Sequence, residues 1–126
     1  IQLSEYRYGA RSVAAGGTVH LTLEWRATAG ISDRYKVFVH VLGKNGLPIA
    51  QQDNEPVAGT YPTTRWRRGE RIRDPYAIVL PDGFPAGEYT VEVGLYRVSD
   101  LTRLSVLDET GAAIDDKVHL EPIVVQ

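Results

Sequence analysis

The sequence contains no cysteine and no methionine. Without cysteine there are no disulfides, no thiolate metal sites and no cysteine nucleophiles. That absence leaves the compartment undecided, since exported bacterial domains can also do without cysteine. Long apolar runs are missing too. None approaches the roughly 20 residues a membrane helix needs, and no signal-peptide pattern is present. The chain begins at Ile1. It is therefore expected to be a piece cut from a longer protein, with any membrane segment or export signal outside it. Excess charge of one sign is also lacking. Fourteen basic and 16 acidic residues leave a net charge of -2. Such a balance gives no global attraction to nucleic acid or to an anionic membrane. Finally, no stretch sustains a helical period with capping residues, and there is no internal repeat or low-complexity segment.

What is present is a period of two. In "TVHLTLEWRA", Val19, Leu21, Leu23 and Trp25 point one way, and His20, Thr22, Glu24 and Arg26 the other. That is the pattern of a half-buried antiparallel strand. "EYTVEVGLYR" repeats it with Tyr89, Val91, Val93 and Leu95 inward. "RYKVFVHVL" carries Val37, Val39 and Val41 on one face but Phe38 and Leu42 beside His40 on the other. Two covered faces predict a central strand. "GKNG" (Gly43 to Gly46) predicts a turn into a short strand near Leu47 to Gln52. In "RIRDPYAIVL", the Asp74-Pro75 pair predicts a sheet edge or a bulge, because proline lacks the ladder donor. "LSEYRYG", "RLSVLD" and "KVHLEPIVVQ" complete the set of expected strands.

The spacing of these strands predicts one all-β domain over residues 1–126. It should be an antiparallel β-sandwich of about seven to nine strands, immunoglobulin-like or fibronectin-III-like. Tyr89 enters its strand just after the glycine-containing corner "PAGEY", which is the tyrosine-corner pattern of such sandwiches. With 43% hydrophobic residues the chain can build a core without staples.

Catalytic signals are sparse. The five serines (Ser4, Ser12, Ser32, Ser99, Ser105) lie in no elbow motif, so a nucleophilic triad has no local support. His20, His40 and His119 are not spaced as metal ligands. His20 and His119 fall on the polar faces of their strands. Asp108-Glu109 and Asp115-Asp116 flank "TGAAI". Calcium could use such carboxylates, but EF-hand spacing is absent and a self-bonded turn is the simpler account. Paired carboxylates for glycoside hydrolysis would need a cleft that a small sandwich rarely offers. No catalytic residue, metal or cofactor is expected.

Binding signals are stronger. The connection "QQDNEPVAGTYPTTRWRRGE", Gln51 to Glu70, is too long for a hairpin turn. It holds Tyr61, Arg65 and Trp66, and it opens an arginine cluster of Arg65, Arg67, Arg68, Arg71 and Arg73. Arginines can grip phosphate or an acidic glycan. The alternation of Arg71 and Arg73 with Ile72 favours a solvated charged face instead, and Glu70 and Asp74 partly neutralise the run. Tyr61, Trp66, Tyr76, Tyr96 and Tyr35 are candidate sugar platforms, while the phase of Trp25 puts it in the core. A long connection needs its own small core. Trp66 is therefore expected to face inward, onto Phe38, under the second covered face of the central strand. The turn at "GKNG" should bring Asp53 back beside His40, with direct contact near 3 Å. The candidate ligand-binding residues are Tyr61, Trp66, Arg65, Tyr96, His40 and Asp53.

Four stretches together resemble a known kind of domain: "VFVH", "QQDNEP", "YPTTRW" followed by "GE", and "GEYTVEVGLY". They resemble a β-sandwich at the C-terminal, extracytoplasmic end of bacterial multi-pass membrane proteins. Many of those proteins look like family-39-type glycosyltransferases, which use lipid-linked sugar donors. The resemblance runs over nearly the whole chain. It implies a non-catalytic accessory domain on the outer face of the cell membrane. The transfer chemistry would belong to a membrane-embedded part outside this sequence, so no catalytic residue carries over. The partner would be a glycan or a protein, not nucleic acid, and this fragment would not itself insert into the membrane. A free-standing carbohydrate-binding module and a spacer without ligand are the alternatives.

Overall fold

Two sheets lie against each other, and burial alternates most clearly along Thr18–Arg26 and Arg71–Val79. The computed structural model describes residues 1–107, 110 and 112–126. The strands are β1 (Gln2–Tyr8), β2 (Ser12–Val13), β3 (Thr18–Arg26), β4 (Tyr35–Leu42), β5 (Pro48–Asn54), β6 (Arg71–Val79), β7 (Gly87–Arg97), β8 (Arg103–Leu104), β9 (Val106–Leu107), β10 (Ala113–Asp115) and β11 (Val118–Val125). The first sheet has the order β10-β9-β1-β3-β6. The second has the order β2-β11-β7-β4-β5, with β8 also on β7. Among the described residues the only helical element is a 3-10 turn, Thr63–Arg65.

The inner faces follow the strand phases. Val19, Leu21, Leu23 and Trp25 of β3 are fully buried, as are Val37, Val39 and Val41 of β4 and Val91, Val93 and Leu95 of β7. They join one core cluster that spans both sheets. At roughly 25 cal/mol per Å² of apolar surface removed from water, these side chains supply the main stabilisation.

Two expectations need correction. The sheets are mixed, not antiparallel: β9 lies parallel to β1, and β2 parallel to β11. The described residues also form more than nine strands. Seven have seven residues or more, and the excess consists of pieces of two or three residues. Such pieces are too short to show a period. "RLSVLD" illustrates this. Its Leu104 pairs with Leu95 in the second sheet, whereas Val106 and Leu107 pair within the first. The chain changes sheets at Ser105.

Other expectations hold. β4 is central, between β7 and β5, and β6 is an edge strand. Pro75 sits in an unbroken register opposite Thr22. Two residues on, the Ala77 N–H points off the free edge to Gln52 Oε1 at 3.1 Å. Pro75 shares that orientation, so its missing donor costs no ladder bond. Tyr89 donates its hydroxyl to Pro85 O at 2.6 Å, which is tyrosine-corner geometry.

Candidate functional site

The six candidate residues fall into two places. No hydrogen bond, ion pair or ring contact joins Tyr61, Arg65 or Trp66 to His40, Asp53 or Tyr96.

The first place is the outer face of the second sheet. Phe38 opposes Asp53 on β5 and Gly94 on β7, and His40 opposes Glu92. His40 Nε2 lies 3.4 Å from Asp53 Oδ1, as the turn at Gly43 predicted. Both atoms are shut off from solvent and neither makes a formal hydrogen bond. Tyr96 donates to Asp53 Oδ2 at 3.3 Å. Glu92 stands between His40 and His119, at 3.8 Å and 3.5 Å. Sequence phase puts Glu92 on an outward face, yet it is buried, because the two imidazoles flank it. Among the described residues no group of three or more His, Asp or Glu is placed to hold a metal ion. Of the acidic turn, Asp108 and Glu109 lie outside the described residues.

Phe38 is not covered by the long connection, contrary to expectation. Its ring lies on Gly94, where an added Cβ would stand 2.4 Å from a ring carbon. The Arg103 guanidinium of β8 caps it at 4.5 Å, a cation-π contact. Strand phase explains the error. Phe38 faces away from the space between the sheets, and Trp66 enters that space.

The second place is the connection from β5 to β6. It starts with strain: Val57 and Ala58 have φ of 57° and 52°, followed by Gly59 at 80°. A β-branched residue there is costly, so the surroundings must enforce it. Asp74 does so, accepting from the Val57 N–H at 2.7 Å. The same carboxyl accepts from Tyr76 Oη at 2.6 Å and Trp25 Nε1 at 3.2 Å. Burial pushes the Asp74 carboxyl above its ordinary range, and its donors only partly oppose that. Sequence reasoning took Asp74 as part of the break at Pro75 and as a charge among the arginines, whereas the structure buries it. The available signal was its phase, inward with Ile72, Tyr76 and Ile78.

Three more contacts fix the rest of the connection. Thr63, fully buried, accepts from the Tyr35 N–H at 3.1 Å and donates to Asp33 O at 2.7 Å. Trp66 is 4% exposed, belongs to the core cluster and donates its indole N–H to Tyr61 O at 3.1 Å. Glu70 accepts the Tyr61 hydroxyl at 2.8 Å and the Arg67 N–H at 2.9 Å. The Arg67 N–H first, then the Tyr61 hydroxyl, holds the Glu70 carboxyl below its ordinary value. Trp66 is thus removed from the ligand-facing candidates. Tyr35 and Tyr76 leave the list of sugar platforms for the same reason, being 7% and 3% exposed.

What remains on the surface is Tyr61, half-buried, with the Arg65 guanidinium 5.6 Å from its ring centroid. Arg65, Arg67, Arg68, Arg71 and Arg73 are all exposed, as strand phase predicted for Arg71 and Arg73. Tyr61, Arg65, Arg67, Arg68 and Glu70 line an open depression of about 700 Å³. A second, of about 440 Å³, adjoins it across Tyr61, Arg65 and Glu70 and reaches Arg71 and Arg73. Neither a protein-family model nor a curated protein matches the chain.

Proposed function

We propose that this chain is a non-catalytic accessory domain of a membrane protein resembling family-39-type glycosyltransferases. It stands on the outer face of the membrane and binds a glycan or a protein partner through the β5–β6 connection. Within that reading the two packed sheets form an immunoglobulin-like or fibronectin-like sandwich, supported by the corner bond from Tyr89 to Pro85. One observation carries the binding role. The connection is anchored to the core through Asp74, Thr63 and Trp66, while Tyr61, Arg65, Arg67 and Arg68 line an open depression. Rigid backbone under adaptable polar side chains is what recognition requires.

Titration of the domain against an oligosaccharide panel tests this. Binding that is lost in Arg65→Ala supports it. A complete absence of binding, or binding untouched by Arg65→Ala and Tyr61→Ala, favours a spacer without ligand. The gene upstream of Ile1 tests the membrane attachment separately, and a lack of transmembrane helices there would overturn that part.

A further inference from the structure

We infer that the β5–β6 depression selects an acidic glycan, one bearing carboxylate or phosphate groups at more than one position. This rests on the connection being a ligand-binding surface. The chain as a whole carries a net charge of -2, yet five arginines converge on the two adjoining depressions. The acidic residue among them, Glu70, offsets only part of their charge, one carboxylate against five guanidiniums. Its two oxygens accept the Tyr61 hydroxyl and the Arg67 backbone N–H, which fixes the carboxylate on the turn and away from a paired contact with any guanidinium. Arg71 reaches Glu24 only at 3.9 Å. Among the described residues Arg65, Arg67, Arg68 and Arg73 form no ion pair with any carboxylate.

Four unpaired guanidiniums on one surface repel each other and are stabilised by an anionic ligand. Their forked donors match carboxylate and phosphate in pairs. Arg65 is also held in place by the Tyr61 ring. This lowers the entropy lost on binding. The shape favours a glycan over a membrane surface. The arginines line hollows of about 700 and 440 Å³. The large exposed apolar side chains Leu47, Val79, Val98 and Leu101 line neither hollow, so the arginines have no such side chain beside them to enter a bilayer.

The test uses calorimetric titration with two trisaccharides of equal length, one of uronic acid units and one neutral. The acidic one is expected to bind, weakening about tenfold as salt rises from low to physiological strength. Arg67→Ser with Arg68→Ser should weaken it by about tenfold or more, whereas Lys44→Ser, in the Gly43 turn, should not. Melting curves confirm that each variant is folded. Equal binding of both trisaccharides overturns the charge selection and leaves the glycan-binding reading standing. Binding of neither overturns the inference and the glycan half of the proposed function, leaving a protein partner. Binding to phosphatidylglycerol vesicles with no binding to the acidic trisaccharide assigns the arginines to a lipid surface and overturns the inference.

Discussion

Replacing Asp74 by asparagine tests how the connection is built. The carboxyl is fully buried and accepts from Trp25, Tyr76 and the Val57 N–H. Asparagine keeps the volume but offers one oxygen. That oxygen can serve Val57 or the Trp25–Tyr76 side, and the amide NH₂ then faces a donor. Leaving one buried donor unpaired costs about 1–3 kcal/mol, and losing a buried charge offsets part of it. A net loss of roughly 1–2 kcal/mol follows, which in a domain of this size lowers Tm by about 4–8 °C.

The pH dependence gives a sharper result. Burial raises the folded-state pKa of Asp74 above its ordinary 3.8. Between the two values the native chain binds more protons than the unfolded one, so stability falls as pH rises. The contribution of Asp74 is therefore fully present below 3.8 and is reduced once pH passes the folded-state value. The substituted amide does not titrate. The stability gap between wild type and Asp74→Asn should narrow from acid to neutral pH. Urea unfolding followed by circular dichroism at several pH values measures it. A gap that widens with rising pH would refute the reasoning, because it would mean the three donors outweigh burial. No gap at any pH would show that the carboxyl does not hold the connection.

Other substitutions probe separate parts of the fold. Trp66→Ala removes a ring that is 4% exposed, and should cost about 3–5 kcal/mol in chemical denaturation. An unchanged midpoint would mean the connection does not rely on this anchor. Gly94→Ala sets a Cβ 2.4 Å from the Phe38 ring and 2.9 Å from Asp116 O. Overpacking of that kind should destabilise by about 1–3 kcal/mol, read by the same assay, and a neutral result would show that Phe38 moves freely. Tyr89→Phe deletes the 2.6 Å bond to Pro85 O. A drop of about 1 kcal/mol is expected, and a stabilised variant would count against the corner.

Alternation identified the inner face of β3, β4 and β7; the two covered faces of β4 gave its central place, and Pro75 narrowed β6 to an edge or a bulge. The inner faces were legible because a strand must send successive side chains to opposite faces. The Gly43 turn also brought Asp53 to His40, since a short turn fixes the register of the pair that follows. Composition and phase placed the arginines in solvent. The tertiary structure decided the rest. The parallel pairings of β9 and β2 depend on where the chain returns in space, and two-residue strands carry no period to read. Whether Trp66 meets Phe38 or the inner core depends on which side of the second sheet the connection crosses, a choice no local pattern encodes. Asp74 became an anchor only when Val57 and Trp25 were brought from distant parts of the chain to join its strand neighbour Tyr76. A buried carboxyl is tolerable only with such partners, and their convergence is a property of the folded chain.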